Sequence, residues 1–371
     1  MPSPGGSRVG SRAVVLPRAA RALLGTAGRR RRPAEPRSIL IAHSLLLGDT
    51  LLLTALLAAL RERHPAAEIA MTVAPPLVPL FERRPYGVRP LAFDPRRAAT
   101  ARAIVGRGAF DLALVPGDNR HTVLALAAGA RWIVAMAGDR PQWKNRFADE
   151  LVPVPAAPAA LADIFARLAG GPPPRAYAKG DFPPPACAEF ELPAGRYAVL
   201  HVGAGSPLRL WAPEKWRALA ATLAGRGVTP VWSAGPGEGP LVRAIDPEGR
   251  YRSYAERLDL AQLWRLLAGA RLAVVLDTGV LHLAKLTATP TVALFGPGSQ
   301  VLFGPGAFWR DNPFRAVTID PFPCRDQRTL FKREIDWVRR CQRSTAECAA
   351  PRCMAAIDVA PVEAAAAELL S

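Results

Sequence analysis

Residues 38–60 read SILIAHSLLLGDTLLLTALLAAL, an almost wholly apolar run interrupted by Gly48 and Asp49. An ionised carboxylate is costly to bury without a partner, so Asp49 belongs at an edge and not inside a core helix or a membrane span. The run resolves into two elements. "SILIAH" reads as a strand, and "TLLLTALLAALRERHP" has a helical pattern that stops at Pro65. Asp49 then falls where a strand hands over to a helix, with Gly48 expected to let the chain turn there.

The same alternation continues. "EIAMTVA", "FDLALVP" and "RWIVAMA" are strands, and "HTVLALAAGA" is a helix between the last two. Pro and Gly then crowd into residues 170–190, which read as a linker. Beyond it "YAVLHVGAG", "TPVWSAGP", "RLAVVLDTG" and "PTVALFGPG" are strands, the last taken as the final one. They alternate with the helices "PEKWRALAATLAGRG", "LDLAQLWRLLAGA" and "VLHLAKLTA". Strands separated by helices imply parallel sheets, and 371 residues suit two domains. The fold class is α/β, with two doubly wound Rossmann-like domains facing a central cleft.

The charge is uneven. The net charge is +17, and residues 1–37 carry nine arginines against one glutamate. This basic arm reads as a flexible tail, an anchor to anionic lipid, or a nucleic-acid contact, in that order. No nucleic-acid motif or aromatic-basic interleaving supports the last, so no nucleic-acid partner is expected. Absence of a long uninterrupted apolar run and of a signal-peptide pattern predicts a cytoplasmic protein with reduced cysteines. Cys324, Cys341, Cys348 and Cys353 cluster near the C-terminus. Their gaps fit no common zinc module, and packing thiols are the default over a metal. The adjacent "FKREIDWVRRCQR" reads as a basic amphipathic helix face.

Chemistry concentrates at the strand ends. In "VVLDTGVLHLA" a buried strand ends at Asp277 and a helix begins near Thr278 or Gly279. Its free N–H groups and positive dipole end suit a phosphate, with His282 in the first turn. A plain helix cap by Asp277 or Thr278 is the alternative. "GAGSPLRLW" repeats the theme. Gly203, Gly205 and Ser206 bring backbone close, and Arg209 offers a bidentate fork to phosphate oxygens. An ordinary turn with a surface arginine is the alternative here. Leu208 stands where a dinucleotide fingerprint needs its third glycine, and no P-loop occurs. A nicotinamide dehydrogenase is therefore a poor reading.

From about residue 38 to the end the chain resembles glycosyltransferase family 9, the heptosyltransferases of lipopolysaccharide core assembly. The resemblance is carried by "ILIAHSLLLGDTLLLTALLAALRERHPAAEI", "HVGAGSPLRLWAPEKW", "LDTGVLHLAKLTATPTVALFGPG" and "CMAAIDVAPVEAA". It implies a GT-B fold, a nucleotide-sugar donor such as ADP-heptose, a lipid-linked saccharide acceptor, and inversion without metal or cofactor. It assigns the general base to Asp49 and donor or phosphate binding to Arg209, Asp277, Thr278, Gly279 and His282. Arg209 replaces the family's usual lysine, "GPGSQ" replaces its "GPT", and Lys285 stands where a small residue is common. The implied domains are an arm over 1–37, an acceptor-side domain over 38–169, a linker over 170–194 and a nucleotide-sugar domain over 195–345. A C-terminal helix within 346–371 is expected to pack back on the N-terminal domain. Two functions follow: an enzyme transferring sugar at the inner face of the cytoplasmic membrane, with peripheral contact to anionic lipid, or a catalytically silent nucleotide-sugar-binding scaffold.

Overall fold

The computed structural model describes residues 9–24 and 31–371. The chain divides into two compact units, Met1–Arg175 with Thr329–Trp337, and Ala176–Arg328 with Val338–Ser371.

The first unit runs α1 (Val9–Leu24), β1 (Ser38–Ile41), α2 (Leu47–Leu52), α3 (Thr54–Arg63), β2 (Glu68–Val73), α4 (Val78–Phe81) and β3 (Arg89–Ala92). It continues with α5 (Ala98–Val105), β4 (Leu112–Val115), α6 (His121–Ala127), β5 (Ile133–Met136), β6 (Glu150–Val152) and α7 (Leu161–Ala166). Its six strands pair in parallel in the order β3-β2-β1-β4-β5-β6. The order reverses between β1 and β4, where Ile39 of β1 is in register with Ile69 on one side and Leu112 on the other. Strands β4 and β5 are buried at every residue, as a sheet covered on both faces requires.

The apolar run of residues 38–60 is not one helix. It forms β1, the short helix α2 and then α3, with the break at Leu53. Thr50 and Thr54, both fully buried, satisfy their hydroxyls on Leu46 O (2.8 Å) and Leu51 O (2.7 Å). Gly48 lies within α2, so the expected turn at this glycine is corrected: the chain turns earlier, over His43–Leu46.

The basic arm also differs from expectation. Residues Val9–Leu24 form a helix that packs on α5 and α6, so a wholly flexible arm is ruled out for this stretch. Small residues allow the approach: Ala19 is buried, and a Cβ on Gly10 would stand 3.2 Å from that of Ala98. Val14 and Val15 pack against a core that includes Ala101, Leu124 and Leu40. Arg32, further along the arm, bonds Glu150 through one nitrogen at 2.8 Å to each oxygen and Ala169 O at 3.0 Å. Residues 1–8 and 25–30 of the arm lie outside the described residues.

The second unit holds β7 (Tyr197–His201), α8 (Pro213–Gly225), β8 (Thr229–Ser233), α9 (Gly239–Ile245), α10 (Leu260–Ala268), β9 (Leu272–Leu276) and α11 (Gly279–Leu286). Then come β10 (Thr291–Phe295), α12 (Gln300–Phe303) and β11 (Phe314–Thr318). Its parallel sheet has the order β11-β10-β9-β7-β8, reversing between β7 and β9. The strand β10 is thus not the last, because β11 pairs beside it. Helix starts follow local chemistry. Pro213 opens α8, where a missing N–H costs nothing. Asp259 and Gln262 cap each other's backbone at the start of α10.

Two segments near the C-terminus correct the sequence reading. β12 (Thr329–Leu330) and β13 (Arg333–Glu334) form a hairpin belonging to the first unit, where a basic helix face was expected. Its turn residues Phe331 and Lys332 have φ of 45° and 64°, a conformation usually left to Asn-Gly. Phe331 is held there by stacking on Phe165, with centroids 6.0 Å apart. The helices α13 (Arg352–Ala355) and α14 (Val359–Leu370) pack in the second unit, not on the N-terminal domain. Carbonyls at the end of α13 explain this placement. Trp211 Nε1 donates to Ile357 O (2.8 Å), and Lys215 Nζ donates to Ala355 O (2.6 Å) and Ile357 O (2.8 Å). Val362, Ala366 and Met354 complete the core beneath.

Met354 is buried at 2% exposure. Met354→Ala is expected to lower the stability of the second unit by about 2–5 kcal/mol, measured by denaturant unfolding.

Candidate active site

In the second unit the loops after β7 and β9 flank the point where strand order reverses, the usual ligand position in open α/β sheets. Gly203-Ala204-Gly205-Ser206 follow β7, and Asp277-Thr278 follow β9. Arg209 joins the two loops. Its Nη1 donates to the Asp277 carbonyl and lies 3.7 Å from Asp277 Oδ2. Thr278 is the N-cap of α11 and accepts from Val280 N at 3.3 Å, leaving its own hydroxyl hydrogen to donate. Ser206 likewise accepts from Leu208 N at 3.3 Å. Gly279 opens α11, so its N–H is one of the helix's free donors.

Each glycine has its own reason. A Cβ on Gly203 would collide with the Glu238 carboxylate, 1.8 Å away. A Cβ on Gly205 would meet nothing within 4 Å, so packing does not demand glycine there. A Cβ on Gly298, after β10, would reach Asp277 Oδ2 at 1.9 Å. The second glycine of "GPG" is therefore fitted around that carboxylate.

Asp277 and His282 are 4% and 3% exposed. Their Oδ2 and Nδ1 atoms are buried without a hydrogen-bond partner, a rare condition that calls for an explanation. Burial raises the Asp277 carboxyl above its ordinary value, against the pull of Arg209, Arg340 and Lys285. Burial, then Lys285 and Arg209, hold His282 well below its ordinary value, so the ring is neutral. His282 sits edge-on to Phe303, with centroids 6.0 Å apart, and is buried. Lys285 is a structural cation: it is 1% exposed, donates to Phe303 O and Gly304 O at 3.0 Å each, and lies over Trp309.

In the first unit Asp49 is partly exposed in the first turn of α2, where the helix dipole favours a carboxylate. It thus lies in the helix that follows β1, past the loop over His43–Leu46. Two further charges left no sign in the sequence. Glu238 accepts from Gly235 N at 2.6 Å and so spans the ends of β7 and β8. Arg333, 2% exposed, donates to Gly117 O (2.6 Å), Ala137 O (2.7 Å), Met136 O (3.0 Å) and Asn119 Oδ1 (2.8 Å). Fully buried Asp139 lies 3.9 Å away and accepts from Asn119 N (2.6 Å) and Lys144 Nζ (3.2 Å). This network locks the loops after β4 and β5. All five cysteines are free thiols, and no group of three or more metal-type ligands occurs among the described residues.

Comparison with known proteins gives the class. The family described as glycosyltransferase family 9 (heptosyltransferase) matches residues 105–333, more than half of the chain, and the chain belongs to it. Lipopolysaccharide heptosyltransferase 1 of Escherichia coli K12 is 31% identical over 113 residues, 30% of this chain and 35% of that protein. The protein of the same name from Pseudomonas aeruginosa is 33% identical over 140 residues, 36% of this chain and 37% of that one. The matched stretch thus spans only about a third of these relatives' length. Among solved structures, E. coli ADP-heptose lipopolysaccharide heptosyltransferase II aligns with a TM-score of 0.67 at 20% identity, covering 90% of this chain and 98% of that one. E. coli heptosyltransferase WaaC with ADP gives 0.63 at 19%, covering 76% and 93%. At such identities the likeness is one of fold, and with the two parallel sheets it gives the GT-B class.

The buried histidines make an acid-stability prediction. Burial lowers His43 to about 3, with His121 adding to the effect, and lowers His201 to about 4. Unfolded, each titrates near 6.5. Below that pH the unfolded chain binds protons the folded one refuses, so stability falls as pH falls towards 4 and, for His43, towards 3. Asp277 works in the opposite sense, since its raised carboxyl favours folding at low pH. Urea midpoints should decline steadily from about pH 6.5 to 4, and His201→Gln should flatten that slope.

Proposed function

We propose that this chain is a metal-independent, inverting glycosyltransferase that moves a heptose-like sugar, with ADP-heptose as the first candidate donor, to a lipid-linked saccharide such as lipopolysaccharide core. The observation that carries the proposal is the second-unit switch point. There Arg209 and the start of α11 converge beside Asp277 Oδ2 and His282 Nδ1, two buried polar atoms without partners. Solved neighbours with ADP and with ADP-2-deoxy-2-fluoro heptose support the donor class.

In this reading Arg209, Thr278 and the N–H groups of Gly279 and Val280 hold the diphosphate. As the glycosidic bond breaks, charge builds on the leaving diphosphate, and these donors stabilise the transition state more than the ground state. Asp277 repels phosphate and serves instead as an acceptor for sugar hydroxyls, with Gly203, Gly205 and Ser206 bordering the nucleotide. Asp49 takes the proton from the acceptor hydroxyl as it attacks. A single displacement needs one such carboxylate and inverts the anomeric carbon.

Helix α1 supports a lipid-linked acceptor. Val9, Leu16 and Leu23, at seven-residue spacing, are 66%, 54% and 46% exposed beside exposed Arg12, Arg18 and Arg21, in a helix with no acidic residue. Such a face suits an anionic membrane surface. Leu16→Asp should weaken salt-sensitive binding of the full chain to phosphatidylglycerol vesicles severalfold; unchanged binding would remove the membrane from the proposal.

A donor screen with ADP, UDP and GDP sugars tests the substrate class. Asp49→Asn keeps size but cannot take a proton, so turnover should drop about 10²–10⁴-fold with donor affinity near wild type. Arg209→Ala should weaken nucleotide-sugar binding by about 1.5–3 kcal/mol, read by calorimetry. Near-normal turnover in Asp49→Asn would remove Asp49 from the role of base, whereas donor binding without any turnover in the wild type would leave a nucleotide-sugar-binding scaffold as the better reading.

A further inference from the structure

The first unit has its own switch point, between β1 and β4, and the two loops that leave these strands are tied to each other there. Ser44, exposed, stands in the loop after β1, and His121, 7% exposed, follows the loop after β4. Ser44 Oγ is 2.9 Å from His121 Nε2, while His121 Nδ1 is 2.9 Å from the Asp118 carbonyl oxygen. A carbonyl oxygen can only accept, so Nδ1 donates to it, and in the tautomer with no proton on Nε2 that nitrogen is free to accept. Nε2 is then an acceptor, and the Ser44 hydroxyl donates to it. The Ser44 oxygen then keeps its lone pairs to accept from a ligand, at an exposed residue.

We propose that Ser44 is a binding position in the first unit for a hydroxyl group of the saccharide acceptor, with His121 as the positioning residue that presents the Ser44 oxygen as a hydrogen-bond acceptor. The proposal rests on the glycosyltransferase reading above.

The pair is held more firmly than a loop closure requires. On the β4 side, Arg333 bonds Gly117 O, and Asp118 accepts from Arg120 N and Nε (2.9 and 2.8 Å) and from Lys144 Nζ (3.3 Å). On the β1 side, His43 N donates to Thr72 Oγ1 (2.7 Å) and Leu45 N to His43 Nδ1 (3.1 Å). Gly117, at φ 85°, packs so close that a Cβ would stand 3.1 Å from Leu45 Cδ2. Phe93 meets the His121 ring edge-on at 6.3 Å. The pair does not cap α6, whose N-cap is Arg120. Buried groups from three loops therefore orient one exposed hydroxyl, in the loop that feeds directly into α2 and Asp49. A fixed, exposed acceptor in the loop that leads into the helix of a candidate base matches the need to hold a sugar by a neighbouring hydroxyl while another is deprotonated.

The test uses the full chain, ADP-heptose as donor, and deacylated lipopolysaccharide lacking heptose as acceptor. Ser44→Ala should raise the acceptor KM about 3–10-fold, the loss of one neutral hydrogen bond, with kcat, donor KM and melting temperature near wild type. Ser44→Thr, which keeps the hydroxyl, should restore the acceptor KM. His121→Gln should raise the acceptor KM without changing donor affinity. An acceptor KM unchanged in Ser44→Ala overturns the inference while leaving the proposed reaction standing. If wild type transfers no sugar, direct titration of the same acceptor decides: weaker binding by Ser44→Ala overturns the enzymatic reading alone, and equal or absent binding overturns this inference.

Discussion

Burial of both faces of each parallel sheet is the constraint on which everything else depends. Strands such as β4, β5, β9 and β10 have no exposed residue, and a buried backbone must pair all its N–H and C=O groups within the sheet. Polar chemistry is thereby driven to the strand ends. Where the strand order reverses, adjacent loops part and leave backbone donors open. Asp49 and Ser44 lie at one such place, and Arg209, Asp277 and Thr278 at the other.

The two aspartates show how environment separates identical side chains. Asp277 is nearly excluded from water, its carboxyl raised by burial and only partly offset by Arg209. Asp49 keeps partial exposure in the first turn of α2. A buried acceptor beside an arginine suits orientation of hydroxyls, whereas a carboxylate in the first turn of a helix lies where the helix dipole favours negative charge.

Buried charge in the first unit serves rigidity. Arg333, Asp139 and Lys144 lose most of their hydration, and every one is returned hydrogen bonds by loop carbonyls, Asn119 or each other. Removing one partner of such a set leaves an uncompensated charge, a loss of about 3–5 kcal/mol. The network therefore fixes the loop that carries Asp118 and His121. By contrast the partner-free atoms of Asp277 and His282 mark a place still able to accept contacts.

The sequence by itself determined the alternation of strands and helices, the parallel α/β class, and the positions of Asp49, Arg209 and Asp277 at strand ends. Those features are local, because periodicity, glycine and capping chemistry act within a few residues. Weakly patterned elements escaped it: β3 (RPLA), β6 (ELV) and β11 (FRAVT) are short edge-side strands defined by their neighbours. Long-range choices escaped it too. Whether α14 covers one sheet or another depends on Trp211 and Lys215 meeting the carbonyls of Ala355 and Ile357, some 140 residues away in sequence. Arg333 reads as one arginine among many until tertiary packing surrounds it with the carbonyls of Gly117, Met136 and Ala137. Ser44 and His121 are 77 residues apart, and only the crossover from β1 to β4 brings them within hydrogen-bond distance.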